Sequence, residues 1–370
     1  MKPQEDNNAA IAHDKKSQPS GAHVNNLARF TPHPVSNTTV TGRFKQLTLS
    51  LACAGLFGLP LAGQAEEIAP TTLRLAHVVN TEDTYHIAAE RFQQLVSEHT
   101  DGAVTIEIFP NATLGDERTL LEGMQIGTVD MGVITNGPVA NFVDEFSVFE
   151  LPFLFPSSEA AYGVLDGEIG QEILGKLQEV NLKGLAYAER GFRNITNSQN
   201  AINEPADLDG LTLRVIENEV YVDTFRELGA NAVPMAWTEA LTALQQGTID
   251  GQENPVNAIH AFNLAETQDY LTMTRHIYAP AIFIMGLPAW NGLQEELQDI
   301  VLDAAKEASA HAREQNAVME AEQLAELREA GMDINETPDI QSFQAAVAPV
   351  YDTYGDKFGD YLQRIQEEVN

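Results

Sequence analysis

Cysteine, basic residues and tryptophan are scarce in this chain. One cysteine, Cys53, occurs in 370 residues, so no disulfide can form within the molecule and its core must be held by packing alone. Lysine and arginine number 21 against 54 aspartates and glutamates, a net charge of −33. Gripping a phosphate backbone requires a basic surface, so this balance excludes nucleic acid as a partner. No apolar run reaches the ~20 residues that span a bilayer. His86, His99, His260, His276 and His311 stand apart in no HExxH or comparable cluster, so neither a metal site nor a cofactor is expected. A GxSxG elbow, a glycine-rich phosphate loop and a paired acid/base motif are also missing.

What is present begins with a leader. Residues 1–46 are polar and mildly basic, without apolar periodicity. Leu47 to Leu61 (LTLSLACAGLFGLPL) is apolar, Arg43 and Lys45 precede it, and Ala62-Gly63-Gln64-Ala65 follows. Basic, apolar and small-residue segments in that order form a secretory signal peptide with a cut expected after Ala65. Cleavage removes Cys53, and Ser50 three positions before it argues against a lipid anchor. The mature chain then keeps 15 basic and 51 acidic residues. Such an excess is a solvated acidic surface suited to high ionic strength, which screens its self-repulsion.

The remainder reads as α/β. Thr71 to Val79 has strand character, Tyr85 to His99 places Ile87, Phe92, Leu95 and Val96 near one helical face, and VTIEIFP follows Gly102 as a second strand. This β-α-β opening implies a parallel sheet with helices on its faces. ERTLLEGMQIG is a helix closed by Gly127, TVDMGVIT a buried strand, and VFELPFLFP packed loop with a short strand. Gly127-Thr128-Val129-Asp130 is echoed 120 residues later by Gly247-Thr248-Ile249-Asp250. That distance is too long for a solenoid repeat and fits two similar lobes with a cleft between them. Leu293 to Ala330 is one long amphipathic helix whose charges face solvent.

The residues between Arg190 and Pro255 carry the chemistry. Arg190, Arg193 and Arg214 fall within 25 positions of a chain poor in cations. A guanidinium presents a planar fork that matches a carboxylate. ADLDGLTLRVI is a turn at Gly210 running into a strand that carries Arg214. Trp237 opens the helix TEALTALQQ with Thr238 as its expected cap, and GQENP is read as a turn ending in Asn254 and Pro255.

FPNATLGDER, GTVDMGV, GFRNITN, DLDGLTLRV and LGANAVPMAWTEALTALQQGTIDGQENP together resemble the solute-binding proteins of tripartite ATP-independent periplasmic (TRAP) transporters, the DctP-like family, over residues 71–368. The resemblance implies a two-lobed α/β, periplasmic-binding-protein-like fold with long C-terminal helices. Lobe one would hold residues 70–190 plus about 281–318, and lobe two 191–280 plus about 319–370. It further implies a monomer that closes on a small carboxylate and delivers it to membrane permease subunits. By the same resemblance Arg214 is the carboxylate-pairing arginine, Arg193 the second arginine, Trp237 the pocket aromatic and Asn254 the pocket amide.

Selectivity is expected from Glu217 and Asn218, which could bond hydroxyls or an amine, and from His77, Tyr85, Thr135 and Asn136, where lobe-one strands of the family reach the cleft. Sugar acids, C4-dicarboxylates and compatible solutes all fit this reading, with Glu217 and Asn218 favouring a hydroxylated acid. Two other classes use the same features. One is a periplasmic enzyme acting on a carboxylic acid, with Glu253 as the only candidate base. The other is a sensor that presents its closed form to a membrane receptor.

Overall fold

The computed structural model describes residues 68–369; the leader, Cys53 and the expected cut after Ala65 lie outside them. Its centre is a nine-stranded sheet made of β1 (Thr71–Ala76), β2 (Val104–Phe109), β3 (Met131–Thr135), β4 (Leu182–Asn197), β5 (Thr212–Val215), β6 (Asn231–Pro234), β7 (Gly251–Asn254), β8 (Tyr270–Gly286) and β9 (Asp333–Asn335). The strand order is β2-β1-β3-β8-β4-β7-β5-β6, with β9 paired to β8. This is a mixed α/β fold of two lobes.

The echo in the sequence is a repeat in the structure. β2-β1-β3 is a parallel triplet, and β6-β5-β7 is a second with the same connectivity. In each triplet a helix closes in a left-handed glycine, Gly127 at φ 79° after Glu117–Ile126 and Gly247 at φ 63° after Trp237–Gln246. Glycine takes that conformation without a Cβ penalty. The aspartate three residues on has the same task in both halves. The Asp130 carboxylate accepts from the Arg74 amide of β1 at 2.8 Å, and the Asp250 carboxylate from the Thr212 amide of β5 at 2.8 Å.

Between the triplets run β4 and β8, antiparallel, 16 and 17 residues long and almost wholly buried. All of β3 is buried, as befits a strand covered on both faces. The Thr84–His99 helix packs Phe92 against Phe283 of β8, ring centroids 5.4 Å apart. The long helix is Glu295–Glu329, and it buries only a stripe including Leu297, Val301, Ala305, Ala308 and Ala312.

Three local expectations are corrected. GQEN is not a turn but strand β7, drawn into the sheet by its pairing with β4 from Asn194 to Asn197. Thr238 is not a cap: the helix starts one residue earlier, after Ala236 in extended conformation and without a side-chain cap. The stretch around VFELPFLFP forms a 3-10 helix at Asp144–Glu150 and then turns, with no strand. Its apolar side chains, among them Phe146, Val148 and Phe149, are core.

Candidate functional site

The strand and helix ends that face one another across the two triplets enclose a cavity of about 130 Å³. From the first half come Val78, Asp116, Glu117, Arg118, Pro138, Asn141 and Phe142; from the second Arg214, Ile216, Glu217, Ala236, Trp237 and Thr238. Glu117 and Trp237 are the first residues of the two equivalent helices, so the repeat sets a carboxylate and an indole into one chamber. Helix N-termini carry partial positive charge and point amides outward, which suits an anionic guest.

Three arginines lie near this chamber, and their partners separate them. Arg190 is held by Asp83 at 2.7 Å and Asn254 Oδ1 at 3.1 Å, with its guanidinium 4.9 Å from the centre of the Tyr85 ring. Arg193 clasps Glu253: Nη2 reaches Oε1 at 2.8 Å and the backbone carbonyl at 2.6 Å, and Nε bonds Oε2. Burial opposes the Glu253 charge, yet Arg193 and the bond from His276 hold that carboxyl below its usual range. Arg214 differs. Its Nε donates to the Met235 carbonyl at 2.9 Å and its guanidinium stands 5.5 Å from the centre of the Trp237 ring, but no carboxylate of the described residues lies within ion-pair distance. Burial pushes it down to about 10 against the pull of Glu253. A desolvated, unpaired cation lining a cavity is the arrangement that an incoming carboxylate relieves.

The other residues singled out in the sequence fall into two groups. Trp237 and Glu217 line the cavity with Arg214; Trp237 is 7% exposed, its indole Nε1 has no partner, and Phe262 meets it edge-on. Arg193, Asn254, Asn218, His77, Tyr85, Thr135 and Asn136 are not on its wall. Asn254 Nδ2 donates to Gln252 Oε1 at 2.5 Å. Asn218 caps the Glu219–Glu227 helix and donates to the Gly137 carbonyl at 3.3 Å. His77 pairs with His86 at 3.1 Å, and burial pushes it down to about 4, so its ring is neutral at pH 7. Tyr85 and Thr135 share a 2.7 Å hydroxyl bond, and Asn136 donates to Glu150 at 2.7 Å.

Sequence reasoning missed Glu117. Its Oε1 accepts from the Thr135 amide at 2.7 Å. Desolvation raises its carboxyl above the ordinary range, while the Thr135 bonds, Arg190 and Arg214 draw it back. The signal was present in the repeat: LGDER places Glu117 where the second half places Trp237.

A protein-family model described as bacterial extracellular solute-binding protein, family 7 (DctP), matches residues 75–357. This chain belongs to that family. Among its relatives is the 2,3-diketo-L-gulonate-binding periplasmic protein of Escherichia coli strain K12, 32% identical over 82% of this chain and 92% of that protein. A TRAP periplasmic solute binding protein from Polaromonas sp. JS666, solved bound to D-erythronate, is 37% identical with a TM-score of 0.79, over 80% of this chain and 98% of the other. The sugar acid binding protein DctPAm of Advenella mimigardefordensis strain DPN7T, solved with galactonate, is 33% identical with a TM-score of 0.79, over 82% and 98%. The architecture of this DctP-family chain, two α/β halves around one chamber, is that of solute receptors.

Proposed function

We propose that this chain is the extracytoplasmic receptor of a TRAP transporter, binding one small organic acid through a salt bridge to Arg214 and handing it to a membrane permease. The observation that carries the reading is Arg214 itself: among the three clustered arginines it is the one without an internal carboxylate, and it lines the chamber. A carboxylate placed there gains two charge-assisted hydrogen bonds. Trp237 walls the apolar face of the ligand, and Glu217 and Glu117 accept from its hydroxyls. Arg193, Arg190, Asn254, Asn218, Tyr85, Thr135 and Asn136 act behind this wall, fixing its shape through the bonds described above, and neutral His77 is buried within lobe one against His86.

The lobes divide near residue 190 and again near 280. Supporting this, β4 and β8 cross there together, and their register shifts between Glu189 and Gly191 opposite Pro280 and Ala279. Hinge closure about that irregularity lets the ligand bridge the lobes and stabilise the closed state by its differential affinity. The receptor is secreted by its signal peptide, acts as a monomer in the periplasm and carries out no reaction. Glu253, the candidate base of an enzyme, is instead locked to Arg193.

The test is a thermal-shift screen with D-erythronate, D-galactonate, D-glucuronate and succinate, followed by calorimetry. A ligand that binds only the folded state raises its melting temperature. Failure of every carboxylate overturns the receptor reading, and turnover of a bound acid establishes the enzyme in its place.

A further inference from the structure

Just beyond Arg214, residues 217–221 of the second half lie against residues 136–150 of the first. Asn141 Nδ2 donates to the Glu217 carbonyl at 2.6 Å. In return Asn218 Nδ2 donates to the Gly137 carbonyl at 3.3 Å and to the Ser147 hydroxyl at 3.4 Å. The Tyr221 hydroxyl donates to Glu150 Oε2 at 2.6 Å, and Asn136 holds the other oxygen of that carboxyl at 2.7 Å. Donors thus run in both directions between the halves. Asn218 and Tyr221 are buried, and neither lines the chamber. Their own half uses only part of each side chain. Asn218 Oδ1 caps its helix by accepting from the Val220 amide at 2.8 Å, which leaves Nδ2 for the other half. The Tyr221 ring has its centre 5.5 Å from the Arg193 guanidinium, which leaves the hydroxyl for Glu150.

We infer that Asn218 and Tyr221 form an interlobe latch, positioning residues that tighten binding by holding the two halves together without touching the ligand. The inference rests on the receptor reading above and adds where part of the closing free energy comes from. When the halves separate, water replaces the bonds to Gly137, Ser147 and Glu150, so each contributes only its net difference, a factor of about 2 to 10. A latch acts on the closing equilibrium and therefore multiplies the affinity for every acid by the same factor. A residue that contacts the ligand would change the ratio between acids instead. The latch also forms after encounter, so it slows release and leaves association alone.

Asn218→Ser keeps a capping oxygen and loses the reach to Gly137, and Tyr221→Phe removes one hydroxyl. In the double variant of the mature protein, calorimetry with D-erythronate, D-galactonate and D-glucuronate should show each acid that binds weakened about tenfold, by a common factor. Stopped-flow fluorescence should place the loss in faster dissociation, with association within about threefold of wild type. Affinities within twofold of wild type overturn the latch and leave the receptor reading standing. So does a loss that differs more than fivefold between two acids, or one carried by slower association. If the double variant does not fold, Tyr221→Phe alone is read by the same criteria, with a loss of about threefold expected. No response to any carboxylate overturns the receptor reading. Small-angle scattering of the acid-free proteins then decides for the latch: a larger radius of gyration in the variant supports it, and superimposable curves overturn it.

Discussion

Arg193 and Glu253 lie on neighbouring antiparallel strands, 60 positions apart in sequence, and close a two-point ion pair with both side chains essentially unexposed. Neither charge has water to fall back on. Glu253→Ala would leave the guanidinium buried beside Tyr221 and His276, and removing one partner of such a pair costs about 3–5 kcal/mol. Urea denaturation should show that loss. A change under about 1 kcal/mol would mean that the pair is hydrated in solution.

Arg214→Ala should have the opposite profile. The residue has no internal carboxylate to strand, so the folded state should keep its far-UV circular dichroism. Carboxylate affinity should fall at least about 100-fold, the equivalent of two charge-assisted bonds. Calorimetry within threefold of wild type would move the anchor elsewhere.

Glu150 is fully buried, accepting from Tyr221 at 2.6 Å and from Asn136 at 2.7 Å. Burial raises its carboxyl from its ordinary 4.5 to about 7. The folded state thus holds the proton more tightly than the unfolded chain. Its contribution is complete below pH about 4.5 and declines as pH rises through about 7, by roughly 3 kcal/mol at most. Stability of Glu150→Gln, measured against wild type over that window, should lack this decline; parallel profiles would place the ionised form in the fold.

Gly137 of the first half lies against Ile216 of the second. A Cβ there would stand 2.7 Å from Ile216 Cγ2 and 3.6 Å from Tyr221. Gly137→Ala should hinder closure without touching the ligand, weakening binding about tenfold, on the scale of the overpacking penalty. Equal dissociation constants for the two proteins would show that the ligand is held without this approach.

The acidic surface gives a last expectation. With 51 acidic residues against 15 basic after the expected cut, the mature chain repels itself at low salt. Its melting temperature should climb in scanning calorimetry between low salt and about 2 M NaCl, and a flat response would remove the salt-adaptation argument.

Much of this was legible along the chain. The glycines that close two helices and the aspartates three residues later announced a repeat, because a left-handed C-cap and a strand-binding carboxylate are local requirements. Arg214 and Trp237 could be named because the motif around them is long. Glu117 could not, since a glutamate in the first turn of a helix is ordinary until its neighbours across the cavity are known.

By itself the sequence determined the α/β class, the absence of disulfides, the acidic surface and the family, all of which follow from composition, period and contiguous motif. It could not say which of three arginines is free. Pairing Arg190 with Asp83 and Arg193 with Glu253 brings together residues 107 and 60 positions apart. Whether a buried cation is neutralised depends on such distant neighbours: the pairing of β4 with β7 put Glu253 within reach of Arg193, and the N-terminus of the Thr84–His99 helix brought Asp83 to Arg190.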